Sequence, residues 1–275
     1  MKLIESSVQI IKEKDPYKMI ELAGRTCYKS EDKITEDSAK EFVDRMIKLG
    51  HGAMLEHGTI YLACLVFDGD VDNNNNLTPN HSFYKYQSNK YSKVKVAQYA
   101  WSGEDVACVT TNLRVLVENN WLDDLKTYRC EPTRYHEKRI TAKFICDRGV
   151  SHEFVRHRVF SFAQESTRYC NYSKNRFGGE ITFIKPTWWE DMDEIDKEDW
   201  NDYLSNAEQY YINLIDKRGW KPQEARQVLP LALKTELIMT GFESDWEGFF
   251  KLRCSGAAHP DAKKLADELH KLVVK

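Results

Sequence analysis

The spacing of apolar and polar positions divides the chain into alternating helices and strands. Asp15-Pro16 reads as an N-cap followed by proline at the first helical position, opening a helix through Ile20 and Leu22 toward Arg25. From about Glu36 to Leu49, Phe42, Val43, Met46 and Ile47 recur at spacings of one, three and four, an amphipathic helix that Gly50 stops. TIYLACLVF, residues 59–67, is an apolar, β-branched and aromatic run that predicts a buried strand. DGDVDNNNNLTPN, residues 68–80, has no core-forming pattern and reads as a polar loop. VACVTTNLRVLVENN, residues 106–120, carries elements of its own, and RITAKFICD, residues 139–147, predicts another strand. No internal repeat is visible. The last strand feeds GVSHEFVRHRVF, where Gly149 makes the turn, Ser151 is placed to cap and Val150 to staple onto Val155. A helix carrying Arg156, His157 and Arg158 is therefore predicted, with the three side chains rotated about 100° from one to the next.

Length and charge narrow the class. At 275 residues the chain can bury a substantial core, and a single domain with an insertion is as compatible as two domains. The net charge of −3 gives no global basic footprint, so a nucleic-acid partner is not expected. The cysteines (Cys27, Cys64, Cys108, Cys130, Cys146, Cys170, Cys254) never form a CxxC pair, which suits free thiols in a reducing cytoplasm. The opening MKLIESSVQIIKEKD is too charged for a signal peptide, and no apolar run approaches membrane-spanning length. No metal site is expected. His152 and His157 of HEFVRH are five apart, whereas a zinc helix needs ligands four apart on one face. His51 and His57 flank HGAMLEH without a third ligand at suitable spacing and read as caps or supporting donors.

Four blocks together resemble one family. RHRVFSFAQESTRY, residues 156–169, has the pattern RHR, two residues, Ser, four residues, Ser, one residue, Arg, Tyr of the flavin-dependent thymidylate synthases, the ThyX family. HGAMLEH resembles the segment before that family's first core strand, EARQVLP (224–230) its EARxVLP block, and FKLRC with His259 its closing FxxLR and histidine. The resemblance implies an α/β (α+β) fold, with a mixed or antiparallel central sheet flanked by helices. It implies a single catalytic domain over 1–275, with 68–149 as a family-variable insertion. It further implies reductive methylation of dUMP to dTMP, with methylenetetrahydrofolate as one-carbon donor and FADH2, regenerated by NADPH, as hydride donor. The assembly it implies is a homotetramer with active sites between subunits.

Residue by residue, the resemblance places dUMP on Glu153, Arg156, Glu165, Ser166, Thr167, Arg168 and Arg226, with Arg168, Arg226 and Ser166 as the catalytic set. It places the flavin and folate side on His51, Arg156, His157, Arg158, Gln164, Arg253 and His259. Arginine suits the phosphate because its planar fork matches two oxygens at once. Ser166 has no base beside it in sequence and is not expected to be a nucleophile; Cys170 lies outside the pattern and reads as a buried free thiol. Several residues have plainer readings: Arg226 as a solvated helix arginine before Pro230, Arg253 as a cation ending a helix opened by a Ser244 to Glu247 capping box, His259 as a cap, and His51 as a turn histidine. The chain departs from the family at Ala163 and Gln164, which replace the usual Asn and Glu. It departs again at Phe242 and Ser244, where compact members carry an Asn-x-Arg pair for the flavin adenosine. Asn112 and Arg114 are expected to replace that pair. Two competing readings are a non-catalytic flavin-binding relative and an RNA-binding module, the latter using HSFYKYQSNKYSKVKVAQYAW, residues 81–101, as a stacking surface.

Overall fold

The computed structural model describes residues 1–99, 103–174 and 177–274. Its strands are β1 (Lys2–Ile4), β2 (Ser7–Ile11), β3 (Thr59–Leu65), β4 (Lys93–Gln98), β5 (Asp105–Asn112), β6 (Arg139–Asp147), β7 (Ser161–Gln164), β8 (Thr182–Ile184) and β9 (Lys234–Phe242). The helices are α1 (Pro16–Tyr28), α2 (Ser38–Lys48), α3 (Gly52–Leu55), α4 (Tyr84–Gln87), α5 (Leu113–Glu118), α6 (Asp124–Tyr128), α7 (Arg148–Phe154), α8 (Glu194–Asp216), α9 (Pro222–Ala225), α10 (Glu243–Arg253) and α11 (Pro260–Val273).

A four-stranded antiparallel sheet in the order β2-β6-β9-β7 is the centre of the molecule. A three-stranded antiparallel sheet follows the order β3-β5-β4, and β1 pairs with β8 in parallel. This is the mixed, mainly antiparallel α/β architecture expected. The strand β9 is buried along almost its whole length because helices cover both faces. On one face Met19 and Ala23 of α1 pack on Ile238 and Ala163. On the other, Leu237 and Met239 join Phe144, Phe154, Phe160, Trp246, Phe249 and the apolar stripe of α11. Each fully buried ring contributes about 1.5–3 kcal/mol from burial alone. A separate core gathers α2, α3, β3, β5 and α5 around Phe42, Leu62, Val109 and Leu116. Residues 68–149 thus supply β4, β5 and β6 to two different sheets.

Two sheets share one construction that the sequence does not reveal. The strand β5 returns antiparallel to β3 and runs without a break into α5, while β9 returns antiparallel to β6 and runs without a break into α10. The likeness lies in connectivity, and the side chains along the strands differ.

Several local expectations are corrected. Asp147, not Ser151, caps α7: its Oδ1 accepts from Val150 N at 2.8 Å, so the helix opens at Arg148 and closes at Phe154. Val150 is buried inside that helix and Val155 is exposed, so there is no staple. Arg156, His157 and Arg158 consequently sit in the turn after α7. The chain must reverse there to enter β7, with His157 N on Phe154 O and Phe160 N on His157 O, both at 3.1 Å. The Ser244 to Glu247 box is absent: Asp245 Oδ2 accepts from Phe242 N at 3.2 Å, and Ser244 Oγ reaches Glu137 instead. β3 is an edge strand, so only Ile60 and Leu62 are buried and the run is one-sided.

Candidate active site

The strand β7 delivers the chain from the central sheet into the loop 165–168, and that loop is tied down on every side. Glu165 N bonds Glu236 O at 2.8 Å and Ser166 N bonds Cys27 O of α1 at 2.9 Å. Beneath it lies a charge network. The Glu165 carboxylate is 2% exposed and receives Tyr172 Oη at 2.8 Å and Lys234 Nζ at 2.9 Å. Lys234 also reaches Glu236, which Lys29 at 2.7 Å and Lys143 at 2.5 Å meet as well. Burial alone would raise the Glu236 carboxyl, but Lys234 and Lys29 outweigh it and hold the group far below the usual carboxylate range. The loop backbone therefore rests on a fixed platform.

Above the platform stand three arginines. Arg226 Nη1 donates to Thr167 Oγ1 at 3.1 Å, and Arg168 Nε donates to Gln223 Oε1 at 3.2 Å. Arg148, the first residue of α7, donates to Glu165 O at 3.4 Å and Thr235 Oγ1 at 3.3 Å. Burial lowers the Arg148 guanidinium from its ordinary value, and the nearby Arg226 charge lowers it further. Among the described residues, none of the three has a carboxylate partner. Like charges gathered without a direct carboxylate partner, beside the hydroxyls of Ser166 and Thr167 and with the buried Glu165 charge only behind Arg148, make a cradle for a multiply charged anion. Ser166 Oγ accepts from Arg168 N at 3.3 Å, and among the described residues no base is hydrogen-bonded to it, which argues against a nucleophile. Arg148 was missed in the sequence, although an arginine between a predicted strand and a predicted helix was the available signal. Arg226 is exposed, at the end of α9.

The second cluster is built by Arg253 at the end of α10. Its guanidinium is 9% exposed, bonds the Glu153 carboxylate, donates to Glu153 O at 2.7 Å and donates to His157 Nε2 at 3.1 Å. His157 accepts at Nε2 and so carries its proton on Nδ1; burial and the Arg253 charge both lower its pKa. Arg253 thus ties Glu153 of α7 to His157 of the Arg-His-Arg turn, while Arg156 and Arg158 stay exposed and, among the described residues, without a charge partner. Gln164 Nε2 donates to Ser151 Oγ at 2.8 Å, tying β7 to α7. Ala163 is a core residue. A cavity of about 340 Å³ opens beside Glu153, lined by Asp147, Trp188, Trp200, Leu231 and His259. The His259 ring lies 5.9 Å from that of Trp188, and His259 precedes α11 without a side-chain cap bond.

The third group lies where the two strand-to-helix corners, β5 into α5 and β9 into α10, meet. His51 precedes α3 and is exposed. Asn112 caps α5, accepting from Val115 N at 3.2 Å. Arg114 pairs with Glu56 and with Glu118 at 2.7 Å, which brings it to the HGAMLEH segment. Arg139 donates to Glu56 O at 2.9 Å, and its Nε is sealed from solvent without a partner. His57 is fully buried, bonds Thr240 Oγ1 through Nδ1 at 2.8 Å and leaves Nε2 unpartnered. Burial, reinforced by the Arg139 charge, pushes its pKa down to about 3, so it is neutral.

The side chains present fit a flavin dinucleotide: Arg156 and Arg158 are exposed and, among the described residues, without a charge partner, which suits a pyrophosphate. Cys170 is driven up to about 12, first by burial, and is inert. Of the stretch 81–101, Phe83 and Tyr86 are fully buried and His81 nearly so, while Tyr84 and Tyr91 are exposed, so its aromatics do not form one continuous surface; Ala100 and Trp101 lie outside the described residues. Among the described residues no group of three or more His, Cys, Asp or Glu is placed to hold a metal, and no helix is long and apolar enough to cross a membrane.

The sequence model of the family described as "Thymidylate synthase complementing protein" matches residues 9–130 and 136–275. The chain is 31% identical over 121 residues to the flavin-dependent thymidylate synthase of Pyrococcus furiosus, covering 44% of this chain and 48% of that one. It is 29% identical over 133 residues to the enzyme of that name from Mycobacterium bovis, covering 44% and 51%. The chain spans about half the length of these relatives. A crystal structure of a UMP/dUMP methylase PolB from Streptomyces cacaoi, bound with 5-Br dUMP, aligns over 99% of this chain and 91% of that chain, with 15% identity and a TM-score of 0.44.

Proposed function

Because the chain belongs to the thymidylate synthase complementing protein family, we propose that it is a flavin-dependent thymidylate synthase, converting dUMP to dTMP. The observation that carries this reading is the cradle of Arg148, Arg168 and Arg226 over Ser166 and Thr167, which suits a nucleotide monophosphate. In the proposed reaction the methylene of methylenetetrahydrofolate joins C5 of dUMP as its two bonds to folate nitrogens break and tetrahydrofolate leaves; the C5 hydrogen leaves to water as a proton, and one hydride completes the methyl group. FAD, when bound and reduced by NADPH, supplies that hydride.

The chain's own residues bind and orient. Arg168 and Arg226 fix the phosphate, with Arg148 behind them; Ser166, Thr167 and the backbone at Glu165 donate or accept around it. Glu153 and Arg156 face the nucleotide ring. Arg156, His157, Arg158, Gln164 and His51 line the flavin, with Asn112 and Arg114 on its adenosine side. Arg253 holds Glu153 and His157 in place. The cavity beside Trp188 and His259 takes the flat ring of the folate. No base at Ser166 is needed, since close positioning and fixed charge carry the transfer. The site is completed by further copies of the chain, and the free cysteines suit a cytoplasmic setting.

Chromatographic detection of dTMP from dUMP, FAD, NADPH and methylenetetrahydrofolate tests the proposal. Product should require all four. Folded, flavin-loaded protein that forms none would overturn it.

A further inference from the structure

The two strand pairs that run into helices match in more than connectivity. In each, the first residue of the leading strand faces the last residue of the returning strand: Thr59 opposite Asn112, and Arg139 opposite Phe242. In each, the first helical residue donates its N–H to the carbonyl just before the leading strand, Leu113 to Gly58 and Glu243 to Lys138, both at 2.9 Å. Leu116 and Trp246 then occupy the same position in the two helices, and both are fully buried. The corner bond extends each ladder by one rung and so follows from the register; the unbroken run from strand into helix and the buried fourth helix position are set separately, and sheet geometry imposes neither.

The two corners also meet each other. Arg139, opening β6, donates to Glu56 O and to Thr59 Oγ1, which opens β3. His57, just before β3, bonds Thr240 of β9, and the Lys93 ammonium and the Arg139 guanidinium both lie 5.6 Å from the Phe242 ring. Their side chains are complementary. The first corner has Asn112 and Arg114 where the second has Phe242 and Ser244, while the loop with Arg168 belongs only to the second. The family match breaks at 131–135, between the two.

We propose that residues 59–118 and 139–253 are two copies of one family unit joined in one chain, paired corner to corner. The contact through Arg139 and His57 then stands in for a contact between subunits, and the first copy, without a nucleotide loop, serves the site of the second. Most of the stretch read as an insertion then belongs to the first copy, and its end, from Arg139, opens the second. A second copy of this chain completes the assembly; that count rests on the function proposed above, which places the site among four units.

Native mass spectrometry of the full chain with FAD and dUMP is the test. Two chains are expected, twice the 32.2 kDa of one; four chains would overturn the proposal. Arg139→Ala should lower the thermal midpoint yet leave two chains, because the contact lies within one chain. Arg139→Lys serves if the alanine variant does not fold. A change in chain number in either variant would place the contact between chains and overturn the pairing. Two chains without dTMP formation would sink the thymidylate reading and leave the pairing standing; dTMP made by four chains would do the reverse.

Discussion

Replacing Glu165 by glutamine removes one carboxylate from the network under the loop while keeping its shape. The native network sets Lys29, Lys143 and Lys234 against Glu165 and Glu236. In Glu165→Gln the three ammonium groups share Glu236 alone. Stranding one member of a buried pair costs about 3–5 kcal/mol. Lys234 keeps its contact with Glu236, so the expected loss is smaller, about 2–3 kcal/mol. For a chain of this size that is a fall of roughly 4–12 °C in the thermal midpoint. Thermal unfolding followed by circular dichroism at pH 7, without nucleotide, measures it. The control is Asp44→Asn, which breaks the exposed Lys40–Asp44 pair and should leave the midpoint unchanged. If Glu165→Gln shifts the midpoint no more than the control does, the platform is not supporting the fold as argued.

Three other outcomes follow from the same geometry. His57 has a folded pKa near 3 against an ordinary value of 6.5, so the unfolded chain takes up the proton first; stability is lost as pH falls from about 6.5 toward about 3, and His57→Gln should flatten that limb in melts between pH 6.5 and 5. Glu236 is depressed instead, so its contribution is present above about pH 4.5 and is lost below it; Glu236→Gln should melt lower at pH 7 yet fall less steeply on further acidification, and equal slopes would refute the assignment. Arg226→Ala and Arg148→Ala should each weaken dUMP binding about 10- to 100-fold by calorimetry, the loss of one charged hydrogen bond, with Arg226→Lys recovering only part.

Much of the frame was legible because local rules acted alone. The Asp15 cap and Pro16 set the start of α1, with Tyr17 N and Lys18 N on Asp15 Oδ1, and the apolar run at 139–147 is β6 residue for residue. The Arg-His-Arg segment defeated the pattern because its conformation is fixed from outside: Asp147 starts α7 early, and the return to β7 forces a turn that periodicity does not encode. Of the site, the arginines of the loop and of EARQVLP were readable as a set. Lys29, Lys143, Lys234 and Arg148 were not, since they come from the end cap of α1, from β6, from β9 and from α7 and converge only in three dimensions. The two matching strand pairs were hidden for a related reason. What they share is backbone register, and register leaves no fixed residue type behind.

The most direct measurement of the central claim is tritium release to water from dUMP labelled at C5, with FAD, NADPH and methylenetetrahydrofolate present. Release should require the full mixture and disappear in Arg168→Ala while the variant stays folded and flavin-loaded. Release unchanged in Arg168→Ala, or none from the folded, flavin-loaded parent, would contradict the account.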